Sequence, residues 1–417
     1  MITIPGTSIN SSEAFDSVSF IGIMNILGGG GLTKFSIFSL GVSPYITASI
    51  IIQLLSSDII PYLSRLNRQG EKGRIKSEKI TRYLTIFIAT IQSLAIISAL
   101  SASGYLEIEQ YSGASGYFML TLIMVSGSMI SLWIADQITI SGVGNGTSII
   151  IVVGIVSKIP TMLINQFSFF VGSSEVAEQI LFGVMNFIFY LLFTFGLIWI
   201  IAFFETSERR LPIQQTGQGL NLVNDKQTYL PIKVNPAGVI PVIFASAIMS
   251  LPGTIAQFFS DTQGATWVID NFSLTAPFGI CFYAALLFLF TMFYSHININ
   301  SLETSENFQK SSTFIIGVKP GLETEKYISK VVTRLSIIGA IELTTIAIMP
   351  YLLTFIGIPS QIAVGGTSMI ILISVAIDTW EQINARIIAA ESTVQQKTKI
   401  YQKETNKKGN SETILFD

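Results

Sequence analysis

The chain has 417 residues, of which 50% are hydrophobic and only 12% charged, with a formal net charge of −2. Soluble domains carry roughly 25% charged residues, so an ordinary soluble globular protein is excluded, and at about 20 apolar residues per crossing there is room for about ten membrane helices. A single cysteine, Cys281, rules out an internal disulfide and a cysteine metal cluster, and a single histidine, His296, argues against a histidine-based metal site.

Met1–Asn10 is polar and contains Pro5, so it does not read as a cleavable signal peptide. A short apolar segment at 18–31 ends in Gly28, Gly29, Gly30 and Gly31. It is too short to span and reads as an interfacial or buried helix whose glycine end can bend sharply. Irregular backbone at membrane depth is tolerated only when buried in protein or lining a cavity, so the segment hints at a water-filled cavity. Apolar spans then follow at about 37–55, 81–101, 117–136, 146–165, 180–204, 237–259, 277–296, 331–354 and 366–389. Span 37–55 carries a polar stripe of Ser43, Thr47, Ser49 and Gln53, and span 237–259 carries Ser246 and Ser250. Small hydroxyl residues allow close packing in lipid. The alternative is a helix pair that separates to admit a guest segment.

Most of the 24 basic residues occupy every second gap between spans. Gap 60–82 holds Arg65, Arg68, Lys72, Arg74, Lys76, Lys79 and Arg82. Gap 205–234 holds Arg209, Arg210, Lys226 and Lys233, and gap 299–330 holds Lys310, Lys319, Lys326 and Lys330. The tail holds Arg386, Lys397, Lys399, Lys403, Lys407 and Lys408. The gaps at 102–116, 166–179, 260–276 and 354–364 have no lysine or arginine. Positive loops stay cytoplasmic, so the tail is inside and span 37–55 starts outside. The chain then begins outside with no helix to carry it there, and a missing first transmembrane helix is expected. Gaps 205–234 and 299–330 are long and contain the strand-like YLPIKV at Tyr229–Val234 and the turn-like VKPG at Val318–Gly321. They read either as docking projections for a soluble partner or as solvated connectors.

No nucleophile–base pair, phosphate-binding glycine loop, HExxH or intramembrane carboxylate pair is visible, so neither an enzyme nor a cofactor is expected. Asp136 and Asp378 lie near cytoplasmic span ends and read as solvated. Lys158 is placed toward the outer end of span 146–165, where its stem can snorkel. Glu342 sits inside span 331–354, and an intramembrane carboxylate is a functional candidate. It would pair with a partner subunit's helix, or contact a water-filled cavity or another helix of the chain. The missing ionisable relay argues against a proton- or ion-coupled carrier, and nothing supports an intramembrane enzyme.

Several stretches resemble the SecY/Sec61-alpha family, the channel subunit of the Sec protein translocon. They are Phe35–Leu55 (FSIFSLGVSPYITASIIIQLL), Thr81–Ser93, Ala135–Ile151, Leu230–Ser246 (LPIKVNPAGVIPVIFAS), Gly317–Ile328 and Gly365–Asp378, in the family's order and spacing over almost the whole chain. The resemblance implies an all-α, polytopic transmembrane bundle of two pseudosymmetric halves around a central pore. Residues 1–165 would form the first half, 166–179 an external hinge loop, 180–389 the second half and 390–417 a cytoplasmic tail. Segment 18–31 would be a plug, hinged at Gly28–Gly31, and spans 37–55 and 237–259 would flank a lateral gate. The family's constriction maps to Ile46, Ile50, Thr147, Ile151, Ile243 and Ile371, where Thr147 departs from the usual apolar residue. Ile46 and Ile50 are one turn apart on one face, and an apolar ring seals against ions by dewetting.

Docking of the SecA ATPase or the ribosome is implied for Arg209, Arg210, Lys226 and Lys319. Lys319 stands where the family has an arginine and lacks its planar, bidentate donor fork, and the loop tip is less basic than usual. An accessory Sec channel for particular cell-wall proteins is therefore an alternative, and a secondary solute transporter a more distant one. The implied partners are SecE, SecG, SecA, the ribosome, signal-sequence-bearing polypeptides and the lipid bilayer. The implied location is a bacterial plasma membrane or, alternatively, a thylakoid membrane.

Overall fold

The computed structural model describes residues 3–4, 7–9, 31–56, 60–102, 106–108, 113–172, 177–215, 229–257, 262–274, 276–355 and 366–413. Strand β1 (Thr7–Ile9) pairs antiparallel with β2 (Leu106–Ile108). Helix α1 (Ser43–Ser56) begins later than the apolar pattern predicts. Residues 37–42 form turns instead, because Phe35 and Gly41 sit at φ 40° and 51°, which no helix accommodates. Then come α2 (Pro61–Arg68), α3 (Glu71–Ala102), α4 (Ala114–Ser141), α5 (Gly146–Val171) and α6 (Ala177–Thr206). Two strands follow, β3 (Glu208–Gln215) and β4 (Tyr229–Lys233). Helices α7 (Ile240–Gln257), α8 (Gln263–Asn271), α9 (Pro277–Asn298) and α10 (Ser301–Lys310) lead to β5 (Thr313–Ile315). The chain closes with α11 (Leu322–Phe355) and α12 (Gly366–Thr413).

Local chemistry sets several of these ends. Asn145 caps α5, its Oδ1 accepting from the Thr147 N–H at 3.1 Å. Pro277 opens α9, where its missing N–H costs nothing. Helix α5 runs on to Val171, past the expected end at 165, and α6 starts at Ala177. The expected external connection at 166–179 is correspondingly shorter. The basic segment after 389, expected as a tail, continues as helix to Thr413.

Among the described residues, six helices are long and apolar enough to cross a membrane, within Glu71–Ser98, Ser115–Ser141, Gly146–Val171, Ile180–Thr206, Pro277–Lys310 and Leu322–Leu353. Ser43–Ser56 and Ile240–Gly253 are apolar but shorter. Large side chains such as Phe118, Phe189 and Trp199 stand exposed around the outside. On a water-soluble protein such continuous apolar surface would drive association; here it meets lipid.

Helix α1 packs on α3, and α3 on α4, while α9 packs on α7 and α11. The two halves meet where α7 touches α1 and α3, and where α12 lies along α5. Gly146 shows how close the approach is: an added Cβ would sit 1.9 Å from the Ala135 carbonyl oxygen, so α5 can start only where it does with glycine there. Three apolar clusters result. The largest is central, a second gathers Ile4, Leu32, Phe35 and Leu40 against α3 and α4, and a third lies beneath the cytoplasmic strands.

Candidate functional site

The central cluster draws on helices of both halves. Ile46 and Ile50 come from α1, Ile151 from α5, Ile243 from α7 and Ile371 from α12, and all five are buried together. The sequence spreads them over 325 positions, and the fold puts them in one apolar mass. Thr147, one turn before Ile151, is half-buried. Its hydroxyl bonds Asn145 Oδ1 at 2.7 Å, so it is spent on the start of α5. What the five isoleucines can do chemically is exclude water: they offer branched apolar surface and no polar atom. Of the four glycines expected as a plug hinge, Gly28, Gly29 and Gly30 lie outside the described residues. Gly31 is buried at the start of a 3-10 turn, where a Cβ would press to 2.7 Å on the Phe38 carbonyl oxygen.

Beside the cluster, the polar stripe of α1 reaches across to the second half. The Tyr294 hydroxyl on α9 donates to Gln53 Oε1 on α1 at 2.9 Å. The Tyr294 ring is buried against Phe244, 4.6 Å between centroids. A Tyr294→Phe exchange keeps that packing and removes one cross-half hydrogen bond, about 1 kcal/mol. The expected outcome is a several-fold rise in separation of α1 from α9, read by the loss of disulfide trapping between cysteines placed on the two helices. An unchanged trapping rate would show that the bond does not hold the halves together.

The two long loops between spans form one sheet. Strand β3 pairs with β4 along Glu208–Pro212 and with β5 from Ile213↔Ile315 to Gln215↔Thr313, giving a three-stranded sheet in the order β4-β3-β5. Leu211, Ile232 and Ile315 face Ile328, Val331 and Val332 of α11 beneath it. Arg209 is exposed on β3. Arg210 donates from Nε to Glu208 Oε1 at 2.7 Å and lies 4.7 Å over the Tyr229 ring, which fixes its direction. Lys319 is exposed on the turn after β5, bracketed by Gly317 and Gly321 at positive φ. Lys226 lies outside the described residues.

Below the sheet is a polar cavity of about 260 Å³, lined among others by Asn145, Glu205, Lys233, Asn235 and Asp378. Lys233 Nζ is 3.3 Å from Asp378 Oδ1 and 2.9 Å from Glu381 Oε2, both on α12. Burial pushes the Lys233 pKa down, but the Glu381 hydrogen bond and the charges of Asp378, Glu381 and Glu205 outweigh it and hold it above its ordinary value. Two more contacts clip α12 to the first half: the Gly144 N–H donates to Gln382 Oε1 at 3.0 Å, and Arg386 Nη1 donates to the Gly142 carbonyl at 2.9 Å. Asp378 and Asp136 are thus paired rather than merely solvated, Asp136 with Arg82 at 2.8 Å. The buried Glu205 and the Gln53–Tyr294 bond went unmarked in the sequence. Glu205 sits one residue before the end of an apolar helix, where a carboxylate is ordinary. Among the described residues, no group of three or more His, Cys, Asp or Glu could hold a metal ion.

Comparisons with known proteins agree with this arrangement. The SecY family profile matches residues 36–380. The protein translocase subunit SecY of Mycoplasma capricolum is 43% identical over 413 residues, covering 95% of this chain and 86% of that protein. That of Bacillus subtilis is 38% identical over 391 residues, covering 93% and 90%. Among solved structures, one described as a protein conducting channel superposes with a TM-score of 0.64 at 15% identity, covering 93% of this chain and 88% of that one. Sec61 in a canine ribosome–channel complex gives 0.61 at 15% identity, with the same coverages. At that identity the likeness is one of fold.

Proposed function

This chain belongs to the SecY family, and from that premise we infer that it is a protein-conducting channel. Unfolded polypeptides pass between its halves, and apolar segments leave sideways where α1 meets α7. One observation carries the reading: five isoleucines from four helices of both halves form a single apolar cluster. Such a seal contracts around a moving chain without binding it, because it has no polar group to hold one, and it closes to ions when empty by dewetting. The same positions offer nothing to a small polar solute. The channel works in a multi-pass membrane protein of, in this reading, a bacterial plasma membrane.

SecE and SecG complete the complex, and SecA or the ribosome docks on the cytoplasmic sheet. The relatives are named translocase subunits, and one structural neighbour is Sec61 in a ribosome–channel complex, which supports the ribosome as a partner. Arg209, Arg210 and Lys319 project from one sheet and its adjoining turn, where they meet a docked partner. Arg209→Glu with Arg210→Glu is expected to weaken motor or ribosome binding by about tenfold at low salt, and by less at high salt, because exposed charges are screened. Equilibrium binding across a salt series measures it; equal binding by the variant would move docking elsewhere.

The channel reading is tested by export in a bacterial strain depleted of its own SecY, with the chain expressed alone and with an added leading transmembrane helix. Processing of a secretory preprotein by either version is the expected result. Stable membrane insertion of both without export would overturn it.

A further inference from the structure

Helix α9 has 22 residues, about 33 Å at 1.5 Å per residue, and a hydrocarbon core is about 30 Å thick. One end of α9 leads into α10 and the three-stranded sheet. The other begins at Pro277, beside the short helix α8. Helix α8 therefore lies at the membrane boundary opposite the sheet. Helix α9 turns one exposed side chain per turn toward lipid: Phe278, Cys281, Ala285 and Leu289. Trp267 of α8 extends that stripe beyond the end of the span. Its ring lies 6.4 Å from Phe278 and 6.5 Å from Phe272, centroid to centroid, and Phe278 in turn stacks on Phe282. Even so, Trp267 remains 55% exposed. Its indole N–H has no acceptor among the described residues. Gln263, Thr266 and Asp270 occupy the neighbouring sector of α8 and are exposed, while Ala265 and Val268 turn inward.

From this geometry we propose that α8 is an anchor in the lipid–water interface, held by Trp267 in the headgroup layer of the leaflet away from the sheet. The proposal rests on the membrane-spanning fold and not on protein conduction. Continuity with the lipid-facing stripe of α9 selects the occupant. Water alone would leave a broad apolar ring bare at the edge of the hydrocarbon. Hydrocarbon alone would leave the indole N–H unpaired and draw the Asp270 carboxylate in beside it, which is costly. The headgroup layer satisfies both sides: acyl chains take the ring, and ester oxygens or interfacial water take the N–H. Helix α8 also packs against α7, the helix before it in the chain. An anchored α8 therefore holds the adjoining end of α7 at a fixed depth.

The test uses the full chain with its partner subunits in phosphatidylcholine vesicles. Trp133, Trp199 and Trp380, all exposed, are replaced by phenylalanine so that Trp267 alone fluoresces. Three kinds of quencher report its depth: a nitroxide on the lipid headgroup, bromine near either end of the acyl chain, and iodide in the water. Headgroup nitroxide and shallow bromine should each lower the emission about twofold, with deep bromine and iodide doing much less. Amide hydrogen exchange then asks whether the ring holds the helix. Trp267→Ala should speed exchange across Gln263–Asn271 several-fold, and Trp267→Tyr, which keeps an amphipathic ring, should not. Unchanged protection along α9 shows that each variant is folded. Strong quenching by iodide alone would put the ring in water, and strongest quenching by deep bromine would put it in hydrocarbon. Resistance to every quencher would mean that protein covers it. Each of these results overturns the proposal, as does unchanged exchange in Trp267→Ala.

Discussion

Asparagine in place of Ile151 or Ile371 is expected to make bilayers containing this chain leak ions, while leucine at the same positions leaves them tight. Both residues are nearly inaccessible, at 1% and 2% exposure, within the one cluster shared by both halves. The leucine variants keep the apolar volume, and such exchanges cost little. Asparagine puts an amide where no protein partner is available, and burying it dry costs a few kcal/mol. The cheapest relief is to admit water, and a wetted constriction conducts. Conductance in planar bilayers should rise on the order of tenfold for the asparagine variants. Thr147→Val is the internal control, because the Thr147 hydroxyl is already held by Asn145 at the start of α5 and its replacement should leave conductance unchanged. Equal conductance for asparagine and leucine variants would mean that the seal lies elsewhere.

That contrast also marks how far sequence reasoning reached. Hydropathy marked where most of the helices lie. The branched apolar residues at 46, 50, 151, 243 and 371 could be named from the family resemblance before any coordinates were known. Hydropathy failed where polarity and water part company. Asn165 and Gln166 look like the end of a span, yet Gln166 is 1% exposed and α5 continues to Val171. That slip of six residues put Lys158 near an interface when it is at mid-helix. In the other direction, the apolar run from Phe35 reads as helix but is turned by backbone at positive φ until Ser43. Pairing between distant strands left no local trace. Ile213 and Ile315 meet across a hundred positions, and nothing in either loop's periodicity announces the other. The two ordered-looking loops could be seen, but not that they are one sheet.

The same non-local contacts converge on Lys233. It ties the end of β4 to Asp378 and Glu381 on α12, and Glu205 lies within Coulombic range of it. Lys233→Met would leave Glu205 and Asp378, which line the cavity, and Glu381 without their common counter-charge. Breaking a fully buried pair costs several kcal/mol. Here about a third of the lysine side chain is exposed, so about 1–2 kcal/mol is the expected loss. It should appear as faster hydrogen exchange in β3 and β4 of the full-length protein, with the transmembrane helices unaffected. Lys233→Arg should retain most of the protection. Adding Asp378→Asn and Glu381→Gln to Lys233→Met should recover part of it, because the repulsion then disappears with the attraction. The pH dependence has a definite sign. A lysine held above its ordinary pKa of about 10.4 contributes its full stabilisation below that value and loses it as pH rises through the higher folded-state value. Wild-type and Lys233→Met proteins should therefore differ throughout the neutral range and converge only in strong alkali. Identical exchange at neutral pH would show that the sheet is held to the bundle by its apolar underside on α11 alone. In that case a partner pressing on Arg209, Arg210 and Lys319 would have no ionic route to α12 through Lys233. If the difference appears, docking on the sheet pulls directly on the helix that carries Ile371, and so on the constriction itself.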